Sequence, residues 1–223
     1  LRDKDKDAKY VDILRAICIC DGSPMIKNQR DITKQLVESP ANKEQLIFGV
    51  VNDHVYGVLV RLKVKNFENV ELRKLEEESK AADDGKTFDY VISMIRLFSD
   101  LCKGRNYLCI EVMQKEFTYD ICFEVVSNEK YGYKIREAFA VFMVNLWIDV
   151  SPLQRLELPF YVKVWDSAGD MGQKIKDQTS VMRHEKLKFF LFDYLDNFKR
   201  KAEDAEQEDD KASFDLAILE LTE

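Results

Sequence analysis

The residues whose type and spacing could do chemistry are few. The run Asp3-Lys-Asp-Lys-Asp7 opens like a calcium-binding EF-hand loop. Such a loop also needs Gly at its sixth position and Glu at its twelfth. Ala8 and Leu14 stand there instead, so the run reads as a solvated approach to a helix. Gly169-Asp-Met-Gly172-Gln-Lys-Ile-Lys176 faintly resembles a phosphate loop. It fits neither G-x-G-x-x-G nor the P-loop pattern, and no clear strand precedes it, so a flexible loop is the better reading. Arg61, Lys63 and Lys65, or Lys199-Arg-Lys201, could hold a phosphate group. A solvated face accounts for both clusters, and the second also suits the last turns of a helix. Cys18 and Cys20 lie two apart, which on a helix points the thiols away from each other. The two histidines, His54 and His184, fall at an expected turn and among charges. No carboxylate pair stands in an apolar setting that would raise a pKa. These residues therefore imply no catalytic group, no metal ligand and no cofactor site, and an enzyme is not expected.

Composition narrows the classes further. The 223 residues are 46% hydrophobic and 34% charged, enough apolar material for a packed core. The net charge of −7 argues against bulk electrostatic binding to nucleic acid or to an anionic membrane. Most of that charge sits in residues 203–210, which hold six acids and no base. With 8 Gly and 4 Pro, breakers are too few for a many-stranded sandwich. Five cysteines without a C-x-x-C pair, each in an apolar stretch, fit a reducing compartment. The longest apolar stretch, residues 138–148, is about half of what a membrane span needs. The chain opens on Leu1 and closes in an apolar-periodic segment, which reads as a piece of a longer protein.

The elements that must carry these residues are mostly helices. Tyr10 to Cys20 has Val11, Leu14, Ile17 and Cys18 at helical spacing, with Gly22 placed to end the helix. Ser23-Pro24 then reads as cap and first position of a second helix, with Met25, Gln29, Ile32 and Leu36 along it. Residues 46–64 are rich in Val and Ile around Asn52-Asp53, which predicts a β-hairpin insertion. Helices follow over residues 71–82, with Leu72 and Leu75 inward, over 88–102, and from Leu108 to Phe117. Ile135 to Ile148 is apolar on most faces and predicts a buried central helix. A further stripe runs through Leu187, Phe190, Leu191, Tyr194, Leu195 and Phe198. An acidic mobile loop is expected over 203–212 and a last helix from Ser213. The fold class is mainly α: helical hairpins in series with a small β-hairpin insertion, in one helical domain over 1–223. Such a series suits a bundle or an armadillo-like α-solenoid.

Several blocks resemble a known family. Residues 10–22 followed by Lys27-Asn-Gln-Arg-Asp-Ile-Thr33 look like the homology domain shared by ryanodine and inositol trisphosphate receptors. Phe88 to Leu108, including Asp100-Leu-Cys-Lys-Gly-Arg-Asn-Tyr107, resembles the next helical pair of inositol trisphosphate receptors. So do Arg136 to Asp149 with Pro152, and Phe189 to Asn197 with Ser213 to Leu216. The resemblance implies a cytosolic coupling module of a calcium-release channel on the endoplasmic reticulum or another calcium store. It implies as partners the neighbouring domains of the same receptor and the adjacent subunits of a homotetramer. It carries no catalytic motif. A free-standing helical scaffold that binds a partner protein is the alternative. In an open-ended solenoid, Leu14 and Ile17 at one end and Phe214, Ile218 and Leu221 at the other are the candidate contacts between modules. The 223 residues alone are then expected to be monomeric and to touch neither nucleic acid nor membrane.

Overall fold

A computed structural model describes residues 7–38, 50–53, 57–61, 69–81, 86–150, 178–201 and 209–220. The chain divides into two compact units, Leu1–Asp149 with Ala205–Glu223, and Val150–Asp204.

The first unit opens with helix α1, Ala8–Cys18, capped by the Asp7 carboxylate, which accepts the Lys9 amide at 3.0 Å. It ends at Cys18, not Cys20. Ile19–Cys20 (β1) pairs with Ser23–Pro24 (β2) in a minimal antiparallel hairpin. The two residues between them, Asp21 and Gly22, have φ of 48° and 72°. Positive φ at both positions is what a two-residue turn of type I′ needs, and Asp-Gly supplies it. Gly22 therefore turns a hairpin, and Ser23-Pro24 is its second strand, not a helix start. Helix α2, Ile26–Thr33, begins beyond it and runs into a π-type turn, Lys34–Glu38.

A three-stranded antiparallel sheet follows in the order β3 (Val50–Asp53), β4 (Gly57–Arg61), β5 (Asn69–Glu71). The register pairs Asn52 with Val58 and Asp53 with Gly57. Asn52 and Asp53 are thus strand residues, and the reversal comes after them. The third strand was not expected; β5 leads directly into helix α3, Leu72–Ala81. Leu72 and Leu75 are buried, as their spacing predicts.

Helix α4, Lys86–Cys102, is buried almost all round, from Phe88 to Cys102. Helices α5 (Tyr107–Glu116), α6 (Tyr119–Ser127) and α7 (Tyr133–Met143) complete the run, and α7 continues as a π-type turn, Val144–Ile148. Helix α6 was not anticipated; Thr118 starts it by accepting the Ile121 amide. Helix α9, Asp209–Glu220, belongs to the same unit and starts inside the acidic stretch, earlier than Ser213. Asp209 and Asp210 stand at its N-terminus, where acids complement the helix dipole. Residues 202–208 lie outside the described residues.

Two helices, α4 and α7, form the centre. Helix α7 packs against α4, α6 and α9, and α4 packs also against α1, α2, α3 and α5. Three phenylalanine rings sit at the join. Phe117 is 5.9 Å from Phe98 and 5.1 Å from Phe142, the latter edge to face at 82°. All three are fully buried. Ser99 and Asn145 sit in the same core and satisfy each other at 2.9 Å.

The second unit contains helix α8, Gln178–Lys201. Leu187 and Leu191 are buried, while Phe189 and Phe192 are exposed. The parts of that unit holding Pro152, Pro159, Gly169 and Gly172 lie outside the described residues. Among the described residues no helix is long and apolar enough to cross a membrane.

Phe117→Ala removes the ring shared by two aromatic contacts. It should lower stability by about 3–5 kcal/mol in urea unfolding. An unchanged midpoint would show that this cluster is not the core.

Candidate functional site

The polar side chains that the sequence could not pick out meet at the end of α4. A helix leaves its last carbonyls without helical partners, and burial makes each of them costly. Here every one of four is matched. Gln29 Nε2 donates to the Asp100 carbonyl at 2.7 Å and to the Lys103 carbonyl at 3.0 Å. Asn106 Nδ2 donates to the Leu101 carbonyl at 3.0 Å, and the Asn106 backbone amide to that of Cys102 at 3.3 Å. Gln29 is fully buried and lies 71 residues from Asp100 in sequence. It comes from α2, so one amide side chain fixes α2 against α4. Its neighbour Asn28 donates to the Ile17 carbonyl at 3.0 Å and finishes α1.

The same corner gathers two further contacts. Gly104 and Arg105 both have positive φ, 72° and 65°. A Cβ on Gly104 would lie 2.5 Å from Pro24 Cγ, so the β1–β2 hairpin sits directly on this glycine. Arg105 reaches the end of the π-type turn, with Nη2 2.9 Å and Nε 3.2 Å from the Asp149 carboxylate and Nε 3.1 Å from its carbonyl. Arg15 Nε donates to Asp100 Oδ2 at 2.8 Å, tying α1 to α4. Burial raises the Asp100 pKa, against the downward pull of Arg15.

A second polar contact docks α9. Arg136 is buried, donates to the Val126 carbonyl at 2.9 Å, and lies 4.2 Å from the centre of the Phe214 ring. A third docks α3: the Glu76 carboxylate accepts the Gly132 amide at 3.0 Å at the start of α7 and pairs with Lys80.

Four thiols are buried. Burial pushes Cys18 and Cys122 up to about 12 and raises Cys102 as well, so these groups stay protonated while buried. Cys20 is exposed. No group of three or more metal-ligating side chains occurs among the described residues.

The candidate contact residues separate into two kinds. Ile17 is 45% exposed and Leu14 half-buried. With Tyr10 and Ile13, 56% and 58% exposed, they give α1 an outward apolar stripe. Phe214 and Ile218 are a correction: they are 0% and 1% exposed, because this face of α9 packs on α7 inside the same unit. Leu216 and Leu219 are the outward leucines of α9, 62% and 52% exposed. Leu221 and His54 lie outside the described residues. Of the basic clusters, Arg61 ends β4, and Lys199 to Lys201 end α8.

No family model matches the chain. The chain is 27% identical over 155 residues to inositol 1,4,5-trisphosphate receptor-like protein A of Dictyostelium discoideum. It is a distant homologue of that protein. The match covers 66% of this chain and 4% of the receptor-like protein, so the chain spans a small part of its relative's length.

Two substitutions test this geometry. Gln29→Leu keeps the shape but strands two part-buried carbonyls, and should cost about 1–3 kcal/mol in denaturant unfolding. A loss under about 0.5 kcal/mol, within the range of an ordinary surface change, would remove Gln29 from the account. Ile218→Asp places an unpaired charge between α9 and α7, and should cost about 4 kcal/mol or more. A variant that is more soluble and equally stable would return Ile218 to an outer surface.

Proposed function

We propose that the chain is a helical module of an inositol trisphosphate receptor-like calcium-release channel, of the homology-domain type shared with ryanodine receptors. Its work is mechanical. It lies on the cytoplasmic face of a calcium-store membrane, within a tetramer, and passes rearrangement of the ligand-binding region towards the pore. The observation that carries this reading is the distant homology to a receptor-like protein much longer than the chain. The capped corner of α4 supports it physically. A module transmits displacement only where its helices move as one body, and Gln29, Asn106, Arg15 and Arg105 join four segments without relying on apolar packing alone. The armadillo-like stacking belongs to the same proposal: α1 offers Tyr10, Ile13, Leu14 and Ile17 to a neighbouring pair of helices of the same receptor.

The test is the double variant Ile13→Asp, Ile17→Asp. Both residues are exposed, so the stability of the 223-residue chain should change little. In the full-length receptor, ligand-triggered calcium release from store vesicles should fall about tenfold, the size of an ordinary coupling free energy, with inositol trisphosphate binding retained. Release equal to the unaltered receptor would overturn the proposal for this face.

A further inference from the structure

The sulfurs of Cys102 and Cys109 are 3.7 Å apart, both fully buried, across the corner that Gln29 and Asn106 cap. One ends α4 and the other lies in the first turn of α5. Cys18 is a third fully buried thiol of the same unit. We propose that Cys102 and Cys109 are an oxidisable dithiol that closes to an intramolecular disulfide when the α4–α5 corner opens to a two-electron oxidant. A disulfide needs the sulfurs at about 2.0 Å, so they must close by ~1.7 Å from their separation here. Burial keeps both thiols out of reach while the corner is closed, so opening sets the rate. The link would then staple α4 to α5 across six intervening residues, at the corner where α2 and the Asp149 turn are also held. This modification site does not depend on the channel proposal.

With diamide as the oxidant, the first thiolate adds to one azo nitrogen. The second attacks the bound sulfur, forming the S–S bond and breaking the S–N bond. The two electrons and both thiol protons end on the diamide, now a hydrazine. Trypsin cleaves after Arg96, Lys103, Arg105 and Lys115, which places the two cysteines in separate peptides, Leu97–Lys103 and Asn106–Lys115.

The experiment treats the whole chain with diamide, alkylates the remaining thiols, digests without reductant and reads masses. The expected result is one species joining those two peptides, lighter than their sum by two hydrogens. Cys102→Ser and Cys109→Ser should each abolish it, and Cys122→Ser should not. Gln29→Leu should speed its formation about tenfold, the factor that ~1.4 kcal/mol of lost local stability gives. Recovery of both peptides alkylated, with oxidation confined to Cys20, would overturn the proposal in the unaltered chain. So would a Cys18–Cys109 link forming in Cys102→Ser as fast as the original.

Discussion

Four carbonyls at the end of one buried helix set the terms for the rest of the first unit. Helix α4 is buried along most of its length and its last carbonyls are at least part-buried, so each would be costly if left bare. The chain meets them with one side chain from far away in sequence and one from the next link. The distant one, Gln29, can reach only if α2 lies alongside the end of α4. That placement fixes the α1–α2 hairpin, brings Pro24 onto Gly104, and leaves room for the Arg15–Asp100 pair. The corner is therefore a constraint on topology more than a source of net stability.

Around that constraint, apolar packing supplies the bulk of the free energy, and it does so in two places. The Phe98–Phe117–Phe142 cluster joins α4 to α7 and to the end of α5. On the far side of α7, the buried Arg136 guanidinium covers the Phe214 ring and gives its nitrogen to Val126, so a cation is buried without being bare. This is how α9 becomes part of the unit although it lies some sixty residues further along the chain than the π-type turn.

What was legible in the sequence follows from which forces are periodic. Helical stripes with strong apolar spacing, such as residues 88–102 and 135–148, were placed correctly because the core reads them directly. The hairpin at Asp21-Gly22 reads as a helix end in the sequence because two-residue strands carry no period, although Asp-Gly is itself a turn signal. Helix α6 escaped notice because it is only nine residues long and follows Phe117 after a single polar cap. The polar corner was invisible as chemistry: a glutamine that caps a helix 71 residues away looks like any surface glutamine. The resemblance nevertheless ran through Lys27-Asn-Gln and Asp100 to Asn106, the segments that meet there. Phe214 and Ile218 were misjudged because an apolar stripe shows that a face is covered and not by what.

The central claim is that this corner moves with α4 as one body, and amide hydrogen exchange on the native chain tests it most directly. The amides of Met25, Asn106 and Phe117 are each bonded outside regular helical interiors, to Cys18, Cys102 and Met113. If α2, α4 and α5 are joined as described, the Met25 and Asn106 amides should exchange as slowly as those in the middle of α4, with the same dependence on denaturant. Exchange of Met25 and Asn106 orders of magnitude faster than α4, with no denaturant dependence, would contradict it and leave the corner as a set of independent local contacts.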